Sequence, residues 1–201
     1  MNTSIGAPAH PQPWPTGEQY DPELLEKGDS RNVEDKYRYW TVAAIKQDMA
    51  THAHEVEVAI ENWQHDFNIG TIVRNANAFN ARKVHIIGKR HWNRRGAMVT
   101  DAYLTIEHHA TVAEFVEATQ NGTRIAIDTH DGAQNLTEVV LPKNAVLVFG
   151  GEGPGLSEEM IQVCSYMVRI PQWGSTRSVN VGVASGILLY KWAEQHKSLD
   201  I

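Results

Sequence analysis

The chain is poor in cysteine and has no long hydrophobic run, and each shortage closes off a class of protein. Cys164 is the sole cysteine among 201 residues, which excludes an internal disulfide and any cysteine-rich zinc site. Its neighbours Met160, Ile161 and Val168 have helix-like spacing, so it reads as a buried structural thiol. The longest apolar runs, such as Ala145 to Phe149, have strand length and cannot span a bilayer. The N-terminus lacks a basic region followed by an apolar stretch, so no signal peptide is expected and the expected compartment is the cytoplasm. His-Glu-x-x-His is absent, and His52, His54, His108, His109 and His130 have no metal-ligand spacing, so no metal is expected. Gly-x-Ser-x-Gly is absent too, which argues against a nucleophile-elbow hydrolase. Acidic residues are missing between Arg82 and Arg95 although the chain carries a net charge of −6. That stretch holds Arg82, Lys83, Lys89, Arg90, Arg94 and Arg95 with Trp92 among them. Cations flanking an aromatic suit a phosphate backbone and a stacked base. A solvated basic loop is the alternative.

What is present is an alternating pattern. Residues 1–31 carry Pro8, Pro11, Pro13, Pro15 and Pro22 and read as an extended or disordered arm. Residues 32–54 read as a helical extension, with Tyr37, Trp40, Ala44 and Ile45 at helical spacing. From residue 55 to 201 strand-like and helix-like segments alternate. The spacing predicts strands over 56–60, 83–87, 124–128, 145–149 and 167–170. It predicts helices over 71–79, 112–119, 157–164 and 179–196. Alternation of this kind indicates an α/β fold with a mostly parallel sheet and helices on both faces. Ligands of such folds bind at the C-terminal ends of the strands.

Three polar turns fall at those ends. Asn68-Ile69-Gly70 opens a helix that carries Arg74, a cation placed where the helix dipole disfavours it. Gly150-Gly151-Glu152-Gly153-Pro154-Gly155 follows the most apolar strand. Its Gly-x-Gly-x-Gly spacing is not that of a dinucleotide fingerprint, and the Lys-Ser/Thr pair of a phosphate-binding loop is missing. Ile170-Pro171 leads through Gly174 to Ser178, Val179 and Asn180, where Ser178 and Asn180 suit a helix N-terminus. Asn68, Ser178 and Asn180 can each be plain helix caps. The small residues Gly182, Ala184, Ser185 and Gly186 on the last helix allow another segment or another subunit to approach closely.

Taken together the three turns resemble the SpoU/TrmH branch of the SPOUT RNA methyltransferases. The family's Asn-x-Gly-x-x-x-Arg motif is matched by Asn68, Gly70 and Arg74. Its Gly-x-Glu-Gly-x-Gly turn is matched by Gly150, Glu152, Gly153 and Gly155. Its Ile-Pro…Gly…Ser-Leu-Asn-Val element is matched by Ile170, Pro171, Gly174, Ser178, Asn180 and Val181. Order and spacing agree from Val56 to about His196. The family usually has Leu at Val179, Met at Gln172, Ser at Gly182 and Gly at Asn80. Asn tolerates a left-handed backbone, so that last exchange is mild.

The resemblance implies a C-terminal trefoil knot, a homodimer, and S-adenosylmethionine held near Thr129, Gly150, Gly151, Ile170, Ser178 and Val179. It implies methylation of a ribose 2′-hydroxyl in tRNA or rRNA. Arg74 is then the activating residue, with Asn68, Glu152, Ser178 and Asn180 positioning it and the ribose. A guanidinium hardly ever deprotonates, which favours Arg74 as an electrostatic stabiliser over a base. Glu152 is a suitable partner to hold it. Arg82, Lys89, Arg90, Arg94 and Arg95 are the expected RNA contacts. A non-catalytic RNA-binding or assembly factor on the same fold is the main alternative. Methylation of a base or a protein is another.

Overall fold

The structure is a computed structural model, and it describes residues 6–63, 68–151 and 155–197. The chain divides into two compact units, residues 1–52 and 53–201.

The first unit contains α1 (Pro22–Lys27) and α2 (Val42–Thr51). The stretch read as an extended arm therefore holds a helix. Pro22 stands in the first helical turn, where its missing N–H costs nothing. Asp21 caps that turn through Oδ1, accepting from the Glu23 and Leu24 amides at 2.9 and 3.4 Å. Between the helices Asp29 is fully buried and accepts from Arg31 Nε and Nη2 at 2.8 and 2.7 Å and from the Tyr39 amide at 3.0 Å. Burial alone would raise its pKa, but these donors hold it down at about 2. The extension read as helical over 32–54 forms its α-helix only from Val42, which Thr41 caps.

The second unit is a three-layer α/β structure. Its elements run β1 (His54–Asn62), α3 (Ile69–Ala78), β2 (Ala81–Gly88), β3 (Ile106–His109), α4 (Val112–Ala118), β4 (Thr123–Ile127), β5 (Gln134–Asn135), β6 (Ala145–Phe149), α5 (Glu158–Val163), β7 (Tyr166–Arg169) and α6 (Val181–His196). All strands are parallel, in the order β3-β2-β1-β6-β4-β7-β5. β3 and β5 were not anticipated. β3 is the polar tetrapeptide Ile-Glu-His-His and β5 has two residues, so neither carries an apolar strand pattern.

β6 lies near the centre and all five of its residues are buried, as its wholly apolar sequence predicts. Residues of alternating parity leave each strand on opposite faces. Val56, Val58, Ile60, Val84 and Ile86 join Ile72, Val73, Leu188 and Trp192 in one core under α3 and α6. Ala59, Ile87, Val146 and Val148 join Phe115 and Met160 in the other, under α4 and α5. Ser157 caps α5, accepting from the Met160 amide at 3.1 Å. At the other end of α5, burial pushes the Cys164 thiol up to about 11, which keeps it protonated and inert. Asn80, standing where glycine is usual, adopts φ 45° between α3 and β2.

The small residues of α6 receive α3 of the same chain. A methyl group on Gly182 would lie 2.8 Å from Thr71 Cγ2. Asn75 Nδ2 donates to Gly182 O at 2.8 Å and to Ser185 Oγ at 2.9 Å. Glycine at 182 thus makes room for Thr71. Trp192, farther along α6, is 2 % exposed and donates from Nε1 to Pro142 O at 3.1 Å. Trp192→Ala is expected to lower the unfolding free energy of this unit by about 3–5 kcal/mol in urea titrations.

Candidate active site

Register decides where the turns meet. Ile127 pairs with Phe149 and with Val168, so the adjacent strands β6, β4 and β7 end nearly level. Gly150, Asp128 and Ile170 emerge side by side at their C-terminal edge. A cleft of about 640 Å³ opens there. Ile127, Phe149, Ile170 and Val179 supply apolar walls; Asp128, Arg177 and Asn180 supply polar groups. All six positions expected to hold the cofactor, Thr129, Gly150, Gly151, Ile170, Ser178 and Val179, line it.

The glycine turn is built to fold back on itself. A Cβ on Gly150 would lie 2.2 Å from the backbone carbon of Gly155, so only glycine fits. Gly155 has φ +71° and its amide donates to Gly151 O at 3.3 Å. Two carboxylates fasten the far side of the turn. Asp128 Oδ2 accepts from the Leu156 amide at 3.3 Å. Glu61, buried at the end of β1, accepts from the Ser157 amide and hydroxyl, both at 2.7 Å. Glu152 and Gly153 lie outside the described residues.

The first and third motifs meet at a pair of asparagines. Asn180 caps α6, its Oδ1 accepting from the Val183 amide at 3.3 Å. Its Nδ2 donates to Asn68 Oδ1 at 2.9 Å. Asn68 heads α3 without a side-chain bond to that helix, so it is not the plain cap that the sequence left as an alternative. Ser178 is likewise not the cap; it stands in the exposed loop before α6. Asn180 therefore belongs to the cleft and to the first motif at once. Arg74 projects from α3 into solvent and makes no ion pair among the described residues.

The basic segment is divided by the sheet. Lys89, Arg90, Arg94 and Arg95 are exposed in the loop after β2, at the same edge as the cleft. Asn62 Nδ2 pins that loop, donating to Lys89 O at 2.6 Å and His91 O at 3.1 Å. Its far end, residues 94–97, packs on the start of α3. A Cβ on Gly70 would lie 2.7 Å from the Ala97 amide nitrogen. Arg94 stands 5.6 Å from the Trp92 ring centroid and 3.3 Å from Asp101. Arg82 does not join them. It opens β2 at the opposite edge, roughly 20 Å away along the strand, with Nε 2.8 Å from Glu57 Oε1. A charge count cannot separate the two ends of one strand.

Sequence reasoning passed over Asp128, Glu61 and Arg177. Asp128 ends a predicted strand beside Thr129, and that position was the available signal. Glu61 follows a run of strand residues and carried none.

Comparison with known proteins places this arrangement. Residues 55–190 match the model of the SpoU rRNA Methylase family. The tRNA (guanosine(18)-2′-O)-methyltransferase of Escherichia coli K12 is 24% identical over 161 residues, covering 78% of this chain and 70% of its own. A structure described as giving insight into 2-OH methylation of C/U34 on tRNA superposes with TM-score 0.63 at 25% identity, over 71% of this chain and 96% of the other. The SpoU methyltransferase AviRb from Streptomyces viridochromogenes, in complex with the cofactor AdoMet, has TM-score 0.63 at 24% identity, over 72% and 59%. The matched span contains both halves of the cleft, both asparagines and Arg74, and on that ground the chain belongs to the SpoU rRNA methylase family.

Proposed function

We propose that the chain methylates a ribose 2′-hydroxyl of tRNA or rRNA with S-adenosylmethionine as donor, at one site assembled from the three turns. The observation that carries this reading is the Asn68–Asn180 bond, which joins the arginine-bearing helix to the rim of a cleft of cofactor size. The glycine turn fits a ligand that approaches backbone closely, because no side chain can stand at Gly150. Bound there, S-adenosylmethionine supplies a methyl group already activated on a sulfonium.

The protein has two tasks left, alignment and charge. Asn68 and Asn180 fix α3 against the loop before α6. Thr129, Gly150, Gly151, Ile170, Ser178 and Val179 hold the donor by backbone and apolar contact. Arg74, exposed and without a carboxylate among the described residues, stabilises the oxyanion that develops as the hydroxyl loses its proton. It acts as a cation and not as a base, since its own proton is not available at neutral pH. Glu152, as its holding partner, completes this assignment.

The loop Lys89–Arg95 binds the phosphate backbone, and transfer RNA is the favoured substrate. The named activity of the Escherichia coli relative supports that choice. A second copy of the chain packs on α6, where Val183, Ile187 and Tyr190 form an exposed apolar stripe at helical spacing. The trefoil knot of the family and a cytoplasmic location complete the reading. No helix among the described residues is long and apolar enough to cross a membrane.

Four outcomes follow. With labelled S-adenosylmethionine and unmodified RNA, label is expected in a 2′-O-methyl nucleoside by mass spectrometry. Arg74→Ala should lower kcat about 10²–10³-fold while donor affinity, read by calorimetry, is unchanged; undiminished transfer removes Arg74 from the mechanism. Neutralising Arg90, Arg94 and Arg95 should reduce the salt slope of RNA binding by about 0.7–0.9 for each lost phosphate contact, whereas Arg82→Gln should leave it unaltered. Ile187→Glu should turn a dimer into a monomer in sedimentation equilibrium, and a wild-type chain that sediments as a monomer would refute the interface.

A further inference from the structure

Remote from the cleft, on the face covered by α4, polar side chains from three neighbouring strands are packed together. They are Glu57 on β1, His85 on β2, and Glu107 and His109 on β3. His85 is fully buried, and Glu57 and His109 are 5 % and 7 % exposed. His85 Nε2 lies 3.1 Å from Glu57 Oε2. A neutral His85 donating its Nε2–H to that carboxylate leaves Nδ1 as a bare lone pair. That lone pair faces His109 Nε2 at 2.9 Å and Glu107 Oε2 at 3.8 Å. One ligand atom from each of His85, Glu107 and His109 lies within 4.8 Å of the others.

We propose that His85 Nδ1, His109 Nε2 and Glu107 Oε2 form a binding site for a zinc-type divalent ion, with Glu57 orienting His85 from behind. Two imidazoles and one carboxylate are a zinc donor set, whereas calcium and magnesium take oxygen ligands. A carboxylate on the far nitrogen of a ligating histidine is the usual outer partner, because it fixes the tautomer. Zinc–nitrogen bonds of about 2.0–2.1 Å in a tetrahedron put ligand atoms about 3.3 Å apart. The observed 2.9 and 3.8 Å from His85 Nδ1 fall on either side of that, and the third pair also lies within 4.8 Å.

The surroundings fit the role. Each carboxylate gives one oxygen to a surface cation and keeps the other inward. Arg82 Nε holds Glu57 Oε1 at 2.8 Å and Lys83 Nζ holds Glu107 Oε1 at 2.6 Å. The Phe115 ring walls the site, 5.5 Å from His85 and 5.9 Å from His109 between centroids. Burial, with His85 beside it, holds His109 below the usual histidine value. The Glu107 side chain is 33% exposed, which gives the ion a path and leaves a fourth position to water. A bound ion would staple the short edge strand β3 to β2, a structural role separate from methyl transfer.

The full chain, freed of metal by a chelator and dialysed, is titrated with zinc by calorimetry and with cobalt(II) by visible absorption. One equivalent per chain, the absorption of a four-coordinate cobalt site and a raised melting temperature are expected. Glu107→Gln, the half-exposed ligand least needed for folding, should abolish the cobalt spectrum, as should His109→Gln. Glu57→Gln should weaken zinc about 10–100-fold, and the exposed control His52→Gln should bind as the wild type does. If the wild type shows no saturable zinc binding, or binds equally well as Glu107→Gln, the cluster is a hydrogen-bonded histidine pair and the proposal fails.

Discussion

The contact between α3 and α6 sets the positions on which the rest of the site depends. Helix axes normally stand about 8–10 Å apart, at a distance fixed by the side chains between them. Here Gly182 and Gly186 face Thr71 and Asn75, and at Gly182 the space for a methyl group is already taken. Asn75 then bonds the α6 backbone directly. Close approach of the two helices brings Asn68, at the head of α3, within hydrogen-bond distance of Asn180, at the head of α6. A bulkier residue at Gly182 would push the two heads apart and break the bond between Asn68 and Asn180.

One wall of the cleft is lined by glycines of the turn, which bring no side chain of their own. Gly150, Gly151 and Gly155 make a turn that closes on itself, and its shape is held from outside by Asp128 and Glu61. A surface of this kind recognises a ligand by fit and by backbone hydrogen bonds, with little side-chain entropy to lose. The chemistry then needs few reactive groups, because the donor arrives activated and the enzyme stabilises only the charge that develops on the acceptor.

Charge is organised locally within an acidic chain. Arg82 and Lys83, at one end of β2, are occupied by Glu57 and Glu107 and belong to the buried histidine cluster. Lys89, Arg90 and Arg95, past the other end, have no carboxylate partner among the described residues. Unpaired cations at a sheet edge keep their field for a polyanion, whereas paired ones are largely neutralised. One strand thus separates cations held in ion pairs from cations left without a carboxylate among the described residues.

The alternation of apolar runs was enough to read the α/β class, five of the seven strands and the four helices of the second unit. Apolar periodicity is a local property, and these elements bury residues that are near neighbours in the chain. The glycines and the Asn, Ser and Arg of the three turns were also legible, because a turn imposes its own residue types. The strand β3 was not, since its polar residues are satisfied by partners on β2 that periodicity does not contain. For the same reason His85, His109 and Glu107 gave no ligand spacing; their approach is across strands. Helix α1 hid behind Pro22, because proline reads as a breaker until its place at the first turn is known. The division of the basic segment, and the contact of Asn68 with Asn180 in place of a plain cap, depended on register and helix packing. Sequence alone determined which residues could do the chemistry, since residue type and local spacing are written in it. Which of them meet was decided by the tertiary structure, through contacts between residues more than a hundred positions apart, as Asn68 and Asn180 are.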